Sequence, residues 1–139
     1  MRVSLAVLAG VAALALSAGT AVAHHSFAAE YDANKPVTLK GTVSKVEWMN
    51  PHARFYVDVR DEKGNVTSWN LELASPNVLV RNGWTRKSLN VGDEVVVEGS
   101  AAKDGSKMAN ARVVKLADGR RVFAGSSGGD APPPAQPQK

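Results

Sequence analysis

The chain has 139 residues, no cysteine and a formal net charge of +4. The lack of cysteine excludes a disulfide scaffold and a cysteine nucleophile, so a folded domain must be stabilised by its hydrophobic core. The 17 basic and 13 acidic residues are spread without a run of like charges. Charge alone is therefore a weak argument for a nucleic-acid or membrane partner.

Residues 1–23 have the pattern of an export signal. Arg2 supplies a positive start, residues 3–18 are almost continuously apolar, and Ala-Val-Ala at 21–23 is a cleavage site. Its many small residues favour cleavage after Ala23 and a periplasmic location over an uncleaved membrane anchor. The remaining 116 residues (139 − 23) suffice for one small domain.

Composition divides the mature chain into three parts. Residues 24–36 are predicted to form an N-terminal arm, in which Phe27 and Tyr31 can attach the arm to the domain. Residues 37–124 carry the strand patterns of a barrel. Residues 125–139 are rich in Gly, Ser, Pro, Ala and Gln and predict a disordered tail.

The first predicted strand alternates apolar and polar residues from Val37 to Val43, after which the apolar positions resume at Val46 and Trp48. This slip indicates a β-bulge near Ser44–Lys45. Asn-Pro at 50–51 then ends the strand. Two more strands follow at 54–60 and 66–73; in the third, Trp69, Leu71 and Leu73 are predicted to face inward, and Ser68, Asn70 and Glu72 outward.

Ser75-Pro76 marks the start of a short helix that ends at Gly83. A fourth strand is predicted at 94–98, a polar loop at 99–107 and a fifth strand at 108–116. Three strands, a helix and two more strands are the order of an OB fold. We therefore predict an all-β protein with one short helix, a five-stranded OB-like barrel, with a small β-sandwich as the alternative.

The mature N-terminus is the strongest candidate for a binding site. Cleavage after Ala23 gives His24 a free amine beside its imidazole, and His25 adds further nitrogen donors. Nitrogen ligands in tetragonal geometry favour Cu(II) or Ni(II), of which copper binds more tightly. Cleavage two residues earlier would place histidine third, an arrangement that also suits copper. The alternative interpretation is that these two histidines belong to a solvated N-terminal segment that binds no metal.

His52 follows the Asn-Pro turn, and Met49 precedes it by three residues. If the arm crosses this turn, His52 completes a copper site with His24 and His25, and Met49 can add a thioether for Cu(I). A zinc site that includes Glu30 or Asp32 is a weaker alternative. His52 can equally be explained as a hydrogen-bonding residue of its own loop.

Other functions have less support. The sequence contains no G-x-S-x-G or H-E-x-x-H motif, so we predict no enzymatic activity. Arg54, Tyr56 and Arg60 share one face of the second strand, as in barrels that bind single-stranded nucleic acid, but Asp58 interrupts this face.

The segments HHSFA at 24–28, WMNPH at 48–52 and SPN to GW at 75–84 resemble an uncharacterised family of small exported proteobacterial proteins. The resemblance covers roughly residues 24–123 and implies a periplasmic OB-like barrel without an assigned activity. Two hypotheses follow: a protein that binds Cu(II) through His24, His25 and His52, or a metal-free module that binds another envelope protein.

Overall fold

β-strands form the framework of the protein in the computed structural model, which describes residues 27–125. The elements are β1 (Tyr31–Glu47), β2 (Arg54–Arg60), β3 (Val66–Glu72), α1 (Pro76–Arg81), β4 (Glu94–Ala102), β5 (Met108–Lys115) and β6 (Arg121–Phe123). Residues 27–30, before β1, are helical. No helix within the described range is long and apolar enough to cross a membrane. The predicted signal at 1–23 and the tail beyond Gly125 lie outside this range.

The strands close into a ring. β1 pairs antiparallel with both β2 and β4, β2 pairs with β3, and β4 pairs with β5. A parallel pairing between β3 and β5 completes the barrel. Together with α1 between β3 and β4, this is an OB-fold barrel, which confirms the predicted fold class. The short strand β6 pairs with β5 and is additional to the five strands expected.

The long strand β1 is bent where the sequence predicts it. Its register with β2 shifts between Val43 and Lys45, which confirms the predicted bulge. The strand begins at Tyr31, whereas the alternation pattern placed its start at Val37. Tyr31 pairs with Ala102 of β4 beyond an irregularity that ends at Pro36. The last residues of the predicted arm are therefore already part of the sheet.

Strand β4 is longer than predicted. It continues to Ala102, whereas the sequence pattern ended it at Glu98. Its register with β5 shifts between Glu98 and Gly99, and pairing then resumes at Gly99 with Ala111. The bulge interrupts the alternation that identified the strand, and so its second half resembled a loop in the sequence.

The core consists of the inward residues of the strands and the apolar side of α1. Its largest fully buried members include Phe55, Val57, Leu71, Leu73, Leu79 and Trp84. The Trp84 indole N–H donates to the Phe123 carbonyl oxygen at 2.8 Å and so connects the segment after α1 to β6. Ser75 caps α1 by accepting from the Val78 N–H at 3.5 Å, as the sequence predicts.

Candidate functional site

A buried carboxylate lies at the C-terminal end of β3. Glu72 stands between the core residues Leu71 and Leu73, so strand alternation directs its side chain to the outer face of the barrel. The predicted outward direction is therefore right for the strand face. The residue is nevertheless only 5% exposed, because neighbouring side chains cover it in place of water.

Four side chains surround this carboxylate. Oε2 accepts from Arg54 Nη2 at 2.7 Å and from the Tyr31 hydroxyl at 3.2 Å. Oε1 lies 3.2 Å from His52 Nδ1 and accepts from Asn110 Nδ2 at 3.4 Å. Arg54 and Asn110 stand directly opposite Glu72 in the neighbouring strands β2 and β5. We call these five residues the Glu72 cluster.

The pairing explains how a charge is tolerated at this position. Removing a carboxylate from water costs several kcal/mol unless opposite charge and hydrogen bonds replace the water. The Arg54 guanidinium supplies the charge, and the remaining partners supply donors to both oxygens. The cluster is thus a buried polar network in which several partners together fix the position of the Glu72 carboxylate.

Tyr31 joins the N-terminal arm to this network. The residue is 2% exposed, and burial, with the negative charge of Glu72 as a second cause, raises the pKa of the Tyr31 hydroxyl well above its usual value. The phenol therefore remains a hydrogen-bond donor at physiological pH. The Phe27 ring packs against the Tyr31 ring with centroids 5.8 Å apart, and Tyr31 contacts Glu72 of the barrel.

The arm has a second attachment at the end of β4. The Lys103 backbone N–H donates to the Glu30 carbonyl oxygen at 2.9 Å. The side-chain ammonium of Lys103 donates to the Ala28 carbonyl oxygen. Residues 28–31 are consequently bound to the barrel through both backbone and side-chain contacts. This fixes the place from which the chain continues toward its N-terminus.

His52 is the member of the Glu72 cluster that reaches the surface, with 31% of its side chain exposed. It follows a cis peptide bond between Asn50 and Pro51. The backbone of the next residue, Ala53, donates to Ala74 and accepts from Leu73, which holds the turn against the end of β3. His52 Nδ1 lies 3.2 Å from the Glu72 carboxylate of β3, so the turn and the strand meet at this carboxyl group.

The remaining predicted ligands are distributed as follows. His24 and His25 lie outside the described residues, so the predicted copper site is represented here by His52. Within residues 27–125, no three His, Cys, Asp or Glu side chains come together in a way that could hold a metal ion. Met49 is 51% exposed, which leaves its thioether accessible to a ligand from solvent.

The residues considered for nucleic-acid binding have intramolecular partners. Arg54 is paired with Glu72, and Arg60 donates to the Gly64 carbonyl oxygen at 3.0 Å. The Tyr56 ring lies 5.2 Å from the Lys45 ammonium. The arginine at the centre of that hypothesis is therefore part of the Glu72 cluster.

The barrel topology and the Glu72 cluster define the class of protein: an OB-fold domain whose N-terminal arm and β1–β2 turn meet at a buried carboxylate. The chain belongs to the DUF6152 family, a family of unknown function, whose model matches residues 11–111. A comparison with curated proteins gives no match.

Two solved structures are similar at a low level. One is the mitochondrial single-stranded DNA binding protein Rim1 of S. cerevisiae, with 12% identity and a TM-score of 0.47 over 59% of this chain and 92% of Rim1. The other is the N-terminal domain of PriB from Thermoanaerobacter tencongensis, with 20% identity and a TM-score of 0.41 over 60% and 96%. The fold assignment above follows from the strand order of this chain itself.

Proposed function

We propose that this protein is an exported periplasmic protein that binds Cu(II) and has no enzymatic activity. Removal of residues 1–23 exposes the amine and imidazole of His24, and His25 supplies further nitrogen donors. His52 completes the site from the barrel. These nitrogen ligands suit the tetragonal geometry of Cu(II).

The observation that carries the proposal is the shared carboxylate. Tyr31 of the arm and His52 of the turn contact the two oxygens of the same Glu72 carboxyl group. The arm therefore leaves the barrel beside the only histidine of the described range. His24 stands three positions before Phe27, a span of up to about 10 Å in an extended chain.

The chemistry of His52 also supports this role. Histidines that bind metals commonly donate their other ring N–H to a carboxylate, which orients the ring and raises its basicity. His52 has such a carboxylate at 3.2 Å from Nδ1, and part of its ring reaches solvent. Its Nε2 is the nitrogen on the other side of the ring and is the proposed ligand atom.

Copper titration of the processed protein tests the proposal, after mass spectrometry has established that the chain begins at His24. We expect submicromolar binding of Cu(II), its loss in His24→Ala and its weakening in His52→Gln. Glutamine is chosen at position 52 because its amide can still donate to Glu72 while it is a poor copper ligand. Glu62→Gln, in the exposed β2–β3 hairpin, is the matched control and should bind as the unmodified protein does.

Two results would contradict this function. The first is a chain that retains its leader or is cut well away from the histidine pair. The second is a correctly processed protein that does not bind copper. The alternative, a metal-free module that binds an envelope protein, would then be supported by recovery of one defined partner that also binds the purified barrel.

A further inference from the structure

We infer that residues 27–31 form a strap that holds the barrel closed where β3 meets β5. This pairing is called the seam below. The strap is attached to the strands on both sides of β5, so releasing either attachment loosens the seam. The inference concerns the barrel and the described part of the arm, and it does not depend on metal binding.

The seam is the shortest pairing in the ring of strands. It joins residues 70–72 of β3 to residues 108–110 of β5 in parallel, and the Asn70 N–H donates to the Lys107 carbonyl oxygen at 2.9 Å. By comparison, β2 and β3 pair along the whole of both strands. Parallel pairing is also slightly less stable per residue than antiparallel pairing. The ring is therefore expected to open first at the seam.

The strap crosses the outside of this seam. Tyr31 pairs with Ala102 of β4, and its hydroxyl donates to Glu72 of β3 at 3.2 Å. Because β5 lies between β4 and β3 in the ring, the Tyr31 side chain spans it. Asn110 of β5 donates to the same carboxylate at 3.4 Å, so this one group joins all three strands. Loss of the Tyr31 hydroxyl therefore weakens the link across the seam directly.

The second attachment of the strap is Lys103, which directly follows β4. Its backbone N–H and its ammonium donate to the carbonyl oxygens of Glu30 and Ala28. These bonds hold the strap in place, with Tyr31 only 2% exposed and the Phe27 ring packed against it. A hydrogen bond shielded from water is stronger than an exposed one. A change at Lys103 should therefore weaken the bond between Tyr31 and Glu72, although the bonds of Lys103 are not made to β3.

Opening of the seam would expose the backbone N–H and C=O groups through which β3 and β5 pair. An unpaired strand edge of this kind is a template for pairing with another chain, and proteins protect such edges by covering them. The strap is thus a conformational device that keeps this edge covered.

Native-state hydrogen exchange of the purified protein, followed by NMR, tests the strap. The Asn70 amide reports on the seam, and the Lys103 amide reports on the strap. The Val43 amide, which donates to the Asp93 carbonyl oxygen, reports on the rest of the barrel. We expect the first two amides to exchange through one shared opening that requires less free energy than the unfolding reported by Val43. In Tyr31→Phe, both should exchange about 5-fold faster, which corresponds to the loss of one hydrogen bond.

A change at the second attachment tests the coupling itself. Lys103→Met keeps the length of the side chain but removes its donor to Ala28, and the Asn70 amide should then exchange at least about 2-fold faster. Lys63→Met, in the exposed β2–β3 hairpin, is the matched control and should leave the Asn70 amide unchanged. Lys103→Met alters nothing inside the Glu72 cluster, so it decides the question even if Tyr31→Phe does not fold.

Gly41→Ala separates opening of the seam from unfolding of the whole barrel. It acts between β1 and β2, so the Val43 amide should exchange faster while the Asn70 amide is unchanged. Faster exchange at Lys103 without faster exchange at Asn70 in Tyr31→Phe overturns the inference, because the strap then frays without opening the seam. An Asn70 amide that exchanges only together with Val43 overturns it as well, because the seam then opens only when the barrel unfolds.

Discussion

At the scale of single residues, the unusual feature is the buried carboxyl group of Glu72. Glu72 is an outward residue of a barrel strand, and such positions normally carry solvated charge. Here the charge is covered by Tyr31 and neutralised by Arg54. Tyr31 is in turn kept protonated by its burial and by the negative charge beside it. The Tyr31 hydroxyl donates and the Glu72 carboxylate accepts, so both groups favour the same hydrogen bond.

This coupling predicts a pH dependence of stability. The pKa of Tyr31 is raised in the folded protein. The contribution of its hydroxyl group to the free energy of unfolding is therefore complete below the ordinary tyrosine pKa of about 10 and is lost as the pH rises through the pKa of the folded state. We expect the free energy of unfolding in urea to fall more steeply between about pH 9 and 11 in the unmodified protein than in Tyr31→Phe.

At neutral pH the same substitution should cost only one hydrogen bond, about 1 kcal/mol, because Arg54 still pairs with Glu72 Oε2. Parallel pH curves for the two proteins would show that the Tyr31 hydroxyl does not titrate differently in the folded and unfolded states.

At the scale of elements, β1 organises the barrel because its first part, up to Thr42, pairs with β4 and its second part, from Thr42 onward, pairs with β2. Close approach to β2 requires a residue without a side chain at Gly41. A Cβ atom there would lie 2.4 Å from the Asp58 carbonyl oxygen and 2.6 Å from Val57 Cγ1. The same requirement holds between β4 and β5, where a Cβ on Gly99 would lie 2.1 Å from the Asn110 carbonyl oxygen.

We predict that Gly41→Ala lowers the free energy of unfolding by about 2–3 kcal/mol, because a backbone oxygen cannot move aside and the strands must separate. Gly105→Ala is the matched control. Gly105 has a φ of +79° in an open loop, so alanine there meets only the cost of the left-handed backbone, about 1 kcal/mol. Urea unfolding compares the two, and equal losses would refute the close approach of β1 and β2.

At the scale of the whole molecule, the arm and the barrel meet where the proposed copper site lies. The arm is attached through Tyr31 to Glu72 and through Lys103 to the backbone of residues 28–30. The described part of the arm, from residue 28 onward, is therefore held on the barrel.

Copper should stabilise the folded protein by mass action. At a free concentration of 100 times Kd the gain is about 2.7 kcal/mol, which raises the melting temperature, and a chelator such as EDTA should reverse it. The rise should be smaller in His52→Gln than in Glu62→Gln at the same copper concentration. An unchanged melting temperature at saturating copper would contradict a site formed between the arm and the barrel.

Much of the fold can be predicted from local patterns. Alternation identified the inward residues Leu71 and Leu73, and the slip after Val43 located the bulge. Ser75-Pro76 predicted the start of α1. These features depend on residues close in sequence, so neighbouring side chains suffice to indicate them. His52 was likewise selected because it is the one histidine beyond the N-terminal pair.

The surroundings of His52 could not be predicted in this way. Glu72 has the alternation phase of a solvated residue, and its cover comes from Tyr31, 41 positions earlier in the chain. The start of β1 at Tyr31 depends on pairing with Ala102, which lies 71 positions later in the chain. The sequence by itself determined the regularly alternating parts of the strands, the bulge in β1 and the start of the helix, because local periodicity and capping encode them. Only the tertiary structure decided that a tyrosine, a histidine and an arginine share one buried carboxylate, because that depends on how the closed barrel brings distant strands together.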